Sequence, residues 1–266
     1  MNTPAVVAKP QPVIRSIGPT VVFSAIAKGF SDFFRAPLYG LFFGGVYTLG
    51  GIAMLLFLYR LNMPWLILPI AIGFPLIGPF IAVGLYEVSR RLSEGESLNW
   101  KGILGVIFRQ RERELSWMAF VVLFVFWIWL YQIRLLTAIF LGFRSMSSIE
   151  AFLNIATSTT EGISFLVVGT IFGGVLATVL YASTVIAIPL LLEREYDFVT
   201  AVITSFKTVI QNPLPMLVFA AIVTVAAIAA MVPFFLGLLV VLPVLGHATW
   251  HLYKAVIAPE QAENPR

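Results

Sequence analysis

The chain has 266 residues, 59% hydrophobic and only 11% charged, with a mean hydropathy of +0.95. Soluble domains carry about 25% charged residues, so this composition excludes a water-soluble domain and points to a membrane protein. The formal net charge is +4 and there is no cysteine, which rules out disulfides, iron–sulfur clusters, thiol nucleophiles and thiolate zinc sites.

Residues 1–19 read as a flexible cytoplasmic tail; the first twenty residues lack the apolar core of a signal peptide. Val21–Arg35 is amphipathic, with Val22, Phe23, Ile26, Phe30, Phe33 and Phe34 at helical spacing against Ser24, Lys28, Ser31 and Asp32. A bilayer core of about 30 Å needs roughly 20 apolar residues per helix, and Leu38–Tyr59 and Trp65–Val88 qualify as the first two spans. The second carries Pro69, Pro75 and Pro79 with Gly73, Gly78 and Gly84. Leu98–Arg113 is a second amphipathic segment, built on Trp100, Ile103, Leu104, Ile107 and Phe108, and it ends in a mixed-charge run expected to be solvated.

Leu115–Ile139 is the third span. At about 1.5 Å per residue, Arg134 lies roughly 29 Å along it and should snorkel at the outer interface, beside an aromatic belt at Trp127, Trp129 and Tyr131. In the outer loop, Ser147-Ser148-Ile149-Glu150 reads as a capping box for a helix ending near Thr157, with Thr159, Thr160 and Glu161 at the mouth of the next span. Gly162–Leu192 is the fourth span, its end bent by Pro189. A third amphipathic segment, Phe198–Ile210, precedes the fifth and sixth spans, Leu214–Met231 and Phe234–Ile257, and residues 259–266 form a second cytoplasmic tail.

With the N-terminus inside, 14 of the 17 basic residues fall on the cytoplasmic side, leaving Arg60, Arg134 and Arg144; the positive-inside rule then places both termini in the cytoplasm. The expected fold is an all-α membrane domain over residues 20–258, of six spans in three pairs, each pair preceded by a cytoplasmic amphipathic helix. The repeat units are about 20–92, 97–193 and 196–257. At an offset of 176, Ser24, Ala25, Ile26, Phe30 and Pro37 face Thr200, Ala201, Val202, Phe206 and Pro213. Further on, outside that offset, Phe74-Pro75-Leu76-Ile77-Gly78 resembles Leu242-Pro243-Val244-Leu245-Gly246. Gly40-x-x-x-Gly44 and Gly169-x-x-x-Gly173 are the expected close-packing faces.

The amphipathic helix followed by Arg35-Ala36-Pro37-Leu38-Tyr39-Gly40-Leu41-Phe42-Phe43-Gly44-Gly45 and the Gly50-Gly51 pair resembles a bacterial family of predicted integral membrane proteins classed only as a domain of unknown function. Its members are sometimes labelled as cytochrome c oxidase subunits. The likeness extends over most of residues 14–258; it implies a bacterial inner-membrane location and brings no known catalytic residues.

A haem–copper core needs about six histidines, and this chain has two, His247 and His251. They share a face of the sixth span but lack a third ligand there, so an interhelical hydrogen bond or a headgroup contact is the expected role. Nothing resembles a nucleotide loop, a metalloprotease motif or a nucleophile elbow, and no cofactor or nucleic-acid partner is expected. Paired Pro/Gly-interrupted helices can mark a transport site, which makes Pro75, Gly78 and Pro79 with Pro243, Gly246, His247 and Arg134 the candidate binding or hinge residues. The leading expectation is a non-enzymatic accessory or scaffold protein of a membrane complex or of the lipid surface, anionic headgroups included; the alternative is a small-solute transporter or channel.

Overall fold

The computed structural model describes residues 11–59, 67–111, 114–142 and 149–259. Among them there is no strand, only an isolated antiparallel bridge between Ile14 and Ile257. The helices are α1 (Pro19–Arg35), α2 (Pro37–Tyr59), α3 (Ile67–Glu94), α4 (Trp100–Arg111), α5 (Leu115–Leu136), α6 (Ile149–Ser158), α7 (Thr160–Thr184), α8 (Ala187–Glu193), α9 (Phe198–Gln211), α10 (Pro213–Met231) and α11 (Leu238–Val256). Pro37–Leu56, Ser116–Leu141, Thr160–Glu193 and Pro213–Met231 are long and apolar enough to cross a membrane. The expected second and sixth spans are also helical, as α3 and α11. α11 falls outside that set because His247, Thr249, His251, Tyr253 and Lys254 dilute its second half.

Proline sets several of these boundaries. Pro19, Pro37 and Pro213 open α1, α2 and α10, where a missing N–H costs nothing. A residue before proline is pushed out of the helical region. Ala36 accordingly adopts φ −136°, ψ 52° between α1 and α2, and Asn212 adopts φ −125°, ψ 54° between α9 and α10. These two junctions stand at the sequence offset of 176 and have the same backbone geometry. Pro189 also acts upstream of itself. It cannot donate to the Val185 carbonyl four residues back, and α7 ends at Thr184, with α8 starting afresh at Ala187.

The chain forms two compact units, one of Met1–Ala119 with Ala182–Arg266 and one of Phe120–Tyr181. In the first, α11 is the centre and packs on α1, α2, α3, α8 and α10. A second apolar cluster, of Ala36, Phe43, Leu85, Val88 and Ile103, joins α2, α3 and α4, and Trp100 of α4 packs 4.2 Å from the ring of Tyr39. Asn99 caps α4 by accepting from the Gly102 N–H at 2.6 Å. The two ends of this unit meet: the Arg15 N–H donates to the Val256 carbonyl at 2.7 Å, and the Ala258 N–H to the Val13 carbonyl at 2.9 Å.

The second unit holds most of α5, all of α6 and most of α7. Thr159 links the last two, donating to the Ile155 carbonyl and accepting from the Gly162 N–H. The expected capping residues Ser147 and Ser148 lie outside the described residues. α5 and α7 line an open groove of about 830 Å³, with Trp127, Tyr131 and Gln132 on one side and Phe172 and Leu176 on the other. Arg134 stands exposed in the last turn of α5.

Candidate functional site

The candidate residues on α11 gather where it crosses α1, α2 and α3. Close approach requires small residues there. A Cβ at Gly29 of α1 would stand 2.5 Å from the Val244 carbonyl oxygen and 2.9 Å from the Ala248 nitrogen. A Cβ at Gly44 of α2 would stand 2.8 Å from the Leu239 carbonyl oxygen, and one at Gly40 would meet the Phe33 ring at 2.6 Å and Pro243 at 3.3 Å. Gly246 faces Leu85 of α3 at 2.6 Å on the same measure, and Gly78 faces the Tyr47 hydroxyl at 3.1 Å. Pro79 and Pro243 are buried. Both proline-bearing helices run through: α3 is continuous past Pro69, Pro75 and Pro79, and α11 past Pro243.

Gly169 and Gly173 make looser contacts. Their Cβ positions would lie 3.8 Å from Leu136 and 3.7 Å from Trp129, ordinary van der Waals distances to side chains of α5.

Below this crossing lies a buried polar chain. Asp32 of α1 is 4% exposed, and Ser89 of α3 and His247 of α11 are fully buried. His251 Nε2 lies 2.7 Å from Asp32 Oδ2, and His247 Nδ1 lies 2.8 Å from Ser89 Oγ; Ser89 also hydrogen-bonds Asp32. Burial raises the Asp32 carboxyl, but the bonds from His251 and Ser89 and the nearby imidazoles outweigh it and hold the group below the usual carboxylate range. A charged carboxylate can only accept, which orders every proton in the chain. His251 Nε2–H and Ser89 Oγ–H donate to Asp32, so Ser89 must accept from His247 Nδ1–H. His247 Nε2 is then a bare lone pair, and it has no partner; nor does the buried Trp250 Nε1.

The two histidines are therefore joined to α1 and α3 rather than to each other. Sequence reasoning placed Asp32 on the polar face of an interfacial helix and never singled out Ser89. The signal for Asp32 was present: it is the only acidic residue in the α1 segment, and it stands one turn before the Ala36 junction. No group of three or more His, Cys, Asp or Glu side chains placed to hold a metal is found among the described residues.

A second network closes the end of α3. Glu87 is 2% exposed and accepts from Arg90 at 2.8 and 2.9 Å and from Arg91 at 2.6 Å. Arg90 also pairs with Glu94 and, at 3.0 Å, with Glu96. At the C-terminal end of α11, Tyr253 and Lys254 both engage Glu193 at the end of α8.

Comparison with known proteins adds one match. No curated protein and no solved structure matches the chain. Residues 67–193, just under half of it, match a family model, and that stretch runs from the start of α3 to the end of α8. It leaves out the Arg35–Gly51 segment on which the likeness to a family was first drawn. Its four span-length apolar helices make the chain a multi-helix integral membrane protein, and its residues 67–193 are similar to the family described as Predicted integral membrane protein (DUF2189), a family of unknown function.

Proposed function

We propose that the protein is a non-enzymatic scaffold of the bacterial inner membrane, crossing it six times with both termini in the cytoplasm. The observation that carries this reading is the close packing of proline-bearing α11 against α2 and α3. Gly40 sits against Pro243 and Leu85 against Gly246, so the elements that would line a transport path fill each other's space instead. The orientation draws support from the basic residues, 14 of 17 on one side, and from the meeting of Arg15 with Val256.

Reconstitution tests the reading directly. Proteoliposomes should pass ions and small solutes no faster than empty vesicles, and protein purified from native membranes in mild detergent should carry a stoichiometric membrane partner. A saturable flux abolished by Gly246→Leu would replace the scaffold with the second reading, a small-solute transporter. That alternative has one observation in its favour, the unpartnered His247 Nε2 inside the packed block.

A further inference from the structure

α1 and α9 each bury one face against the protein and leave a bulky apolar edge uncovered. The inward face of α1 is Val22, Ala25, Gly29, Asp32 and Phe33, and that of α9 is Ala201, Thr204, Ser205 and Thr208. Apart from Val22 and Phe33 of α1, small and polar residues make the contacts; the Ile186 N–H, for example, donates to Ser205 Oγ at 3.1 Å. The remaining bulky apolar residues form an outer edge. On α1, Phe23, Phe30 and Phe34 are 57%, 46% and 72% exposed, and on α9, Val199, Ile203 and Ile210 are 56%, 45% and 73% exposed.

These outer edges occupy equivalent positions. Phe23, Ala27, Phe30 and Phe34 stand 176 residues before Val199, Ile203, Phe206 and Ile210. Each edge continues across its junction onto the following span, through exposed Leu38 on α2 and exposed Leu214 on α10. Whatever covers the spans must cover these edges without a gap. The two helices also share a level: the Ile17 N–H at the start of α1 donates to Asn212 Oδ1 at 2.8 Å, and Asn212 Nδ2 donates to the Arg15 carbonyl at 3.2 Å.

Charge separates the remaining edge. Beside the phenylalanines of α1 stand exposed Ser24, Lys28, Ser31 and Arg35, while its one acid, Asp32, is turned inward onto His251. α9 adds exposed Lys207, and Asp197 at its start is engaged by the Thr200 hydroxyl. A helix with an apolar edge and a cationic edge lies in the headgroup layer, and its cations favour anionic lipid. We infer that α1 and α9 are a matched pair of in-plane anchors in one leaflet, and that the cationic edge of α1 binds anionic phospholipid headgroups. The inference rests on reading α2 and α10 as membrane spans and names the lipid partner of that scaffold.

The absence of native cysteine makes the test clean. Single cysteines at Phe23, Phe30 and Ile203 (apolar edge), at Ser24 and Ser31 (polar edge), and at Leu49 and Leu217 (spans) are labelled with an environment-sensitive fluorophore in the full-length protein. The protein is reconstituted in vesicles of phosphatidylcholine with or without phosphatidylglycerol. Apolar-edge and span probes should be quenched by lipid-borne quenchers and spared by aqueous iodide, with the polar-edge probes showing the reverse. Attaching the quencher to phosphatidylglycerol should favour the α1 probes, and Lys28→Gln or Arg35→Gln should each lower that preference roughly fivefold. Iodide reaching Phe23 and Ile203 as readily as Ser24 overturns the anchors while leaving the spans intact; loss of lipid quenching at Leu49 and Leu217 as well sinks the spanning reading itself. Apolar-edge probes shielded from both quenchers would mean a protein covers the edge, which also overturns the inference. An α1 preference for phosphatidylglycerol that survives both substitutions overturns the headgroup assignment.

Discussion

Asp32 ties three helices together through His251, Ser89 and, beyond it, His247. Removing a buried carboxylate leaves the groups that donate to it unsatisfied, at a cost of about 1–3 kcal/mol each. The His251 side chain is 13% exposed, so water recovers part of that cost at one of the donors. Asp32→Ala should therefore lower the stability of the detergent-purified protein by about 3 kcal/mol, read from thermal unfolding; a change below about 0.5 kcal/mol would deny the pair its structural role. Because the folded carboxyl titrates below its ordinary value of 3.8, its contribution is fully present above that pH. It is lost as the pH falls through the lower folded value. Asp32→Asn should flatten the acid limb of the stability curve, whereas an unchanged limb would assign it to other groups. At the crossing, Gly44→Leu would drive a side chain into the Leu239 carbonyl and should destabilise by more than the 1–3 kcal/mol usual for overpacking. The same change at exposed Gly174, where nothing lies within 4 Å, should be close to neutral.

Among the elements, α9 shows how far pattern reading reaches. Its limits were legible: Asp197 caps it by accepting from the Thr200 N–H at 2.9 Å, and Asn212 with Pro213 ends it. Asp197→Ala should cost about 1 kcal/mol. The bonds from Thr200 hold the Asp197 carboxyl below its usual range, so the cap's contribution should be present at neutral pH and fade on acidification. Hydrogen exchange in the first turn of α9 measures both, and equal protection in wild type and variant would refute the cap. What was not legible is the face α9 buries. In water the bulky stripe of Val199, Ile203 and Ile210 would turn inward. In a membrane, lipid is as apolar as those side chains, and tight packing falls to small and hydroxyl-bearing residues. The period of a helix can be read from the sequence, but which stripe faces the protein depends on the surrounding solvent.

For the whole molecule, segments far apart in sequence meet where Ile14 pairs with Ile257. Residues paired across an antiparallel bridge have Cα atoms about 4.5–5.5 Å apart, within the range a disulfide spans. Ile14→Cys with Ile257→Cys should cross-link on mild oxidation, giving a faster-migrating band reversed by reductant. No cross-link in folded protein would separate the ends.

Composition and hydropathy determined the class of protein and the position of every long helix, because a bilayer demands apolar length and satisfied backbone hydrogen bonds whatever the neighbours are. The prolines determined where α1, α2 and α10 begin. Only the tertiary structure decided that α11 is the hub of its unit. That outcome rests on Gly29, Gly40 and Gly44 admitting its backbone, and on an aspartate and a serine from two other helices meeting its histidines. Those contacts join residues up to 219 positions apart, and no local pattern records which small face meets which.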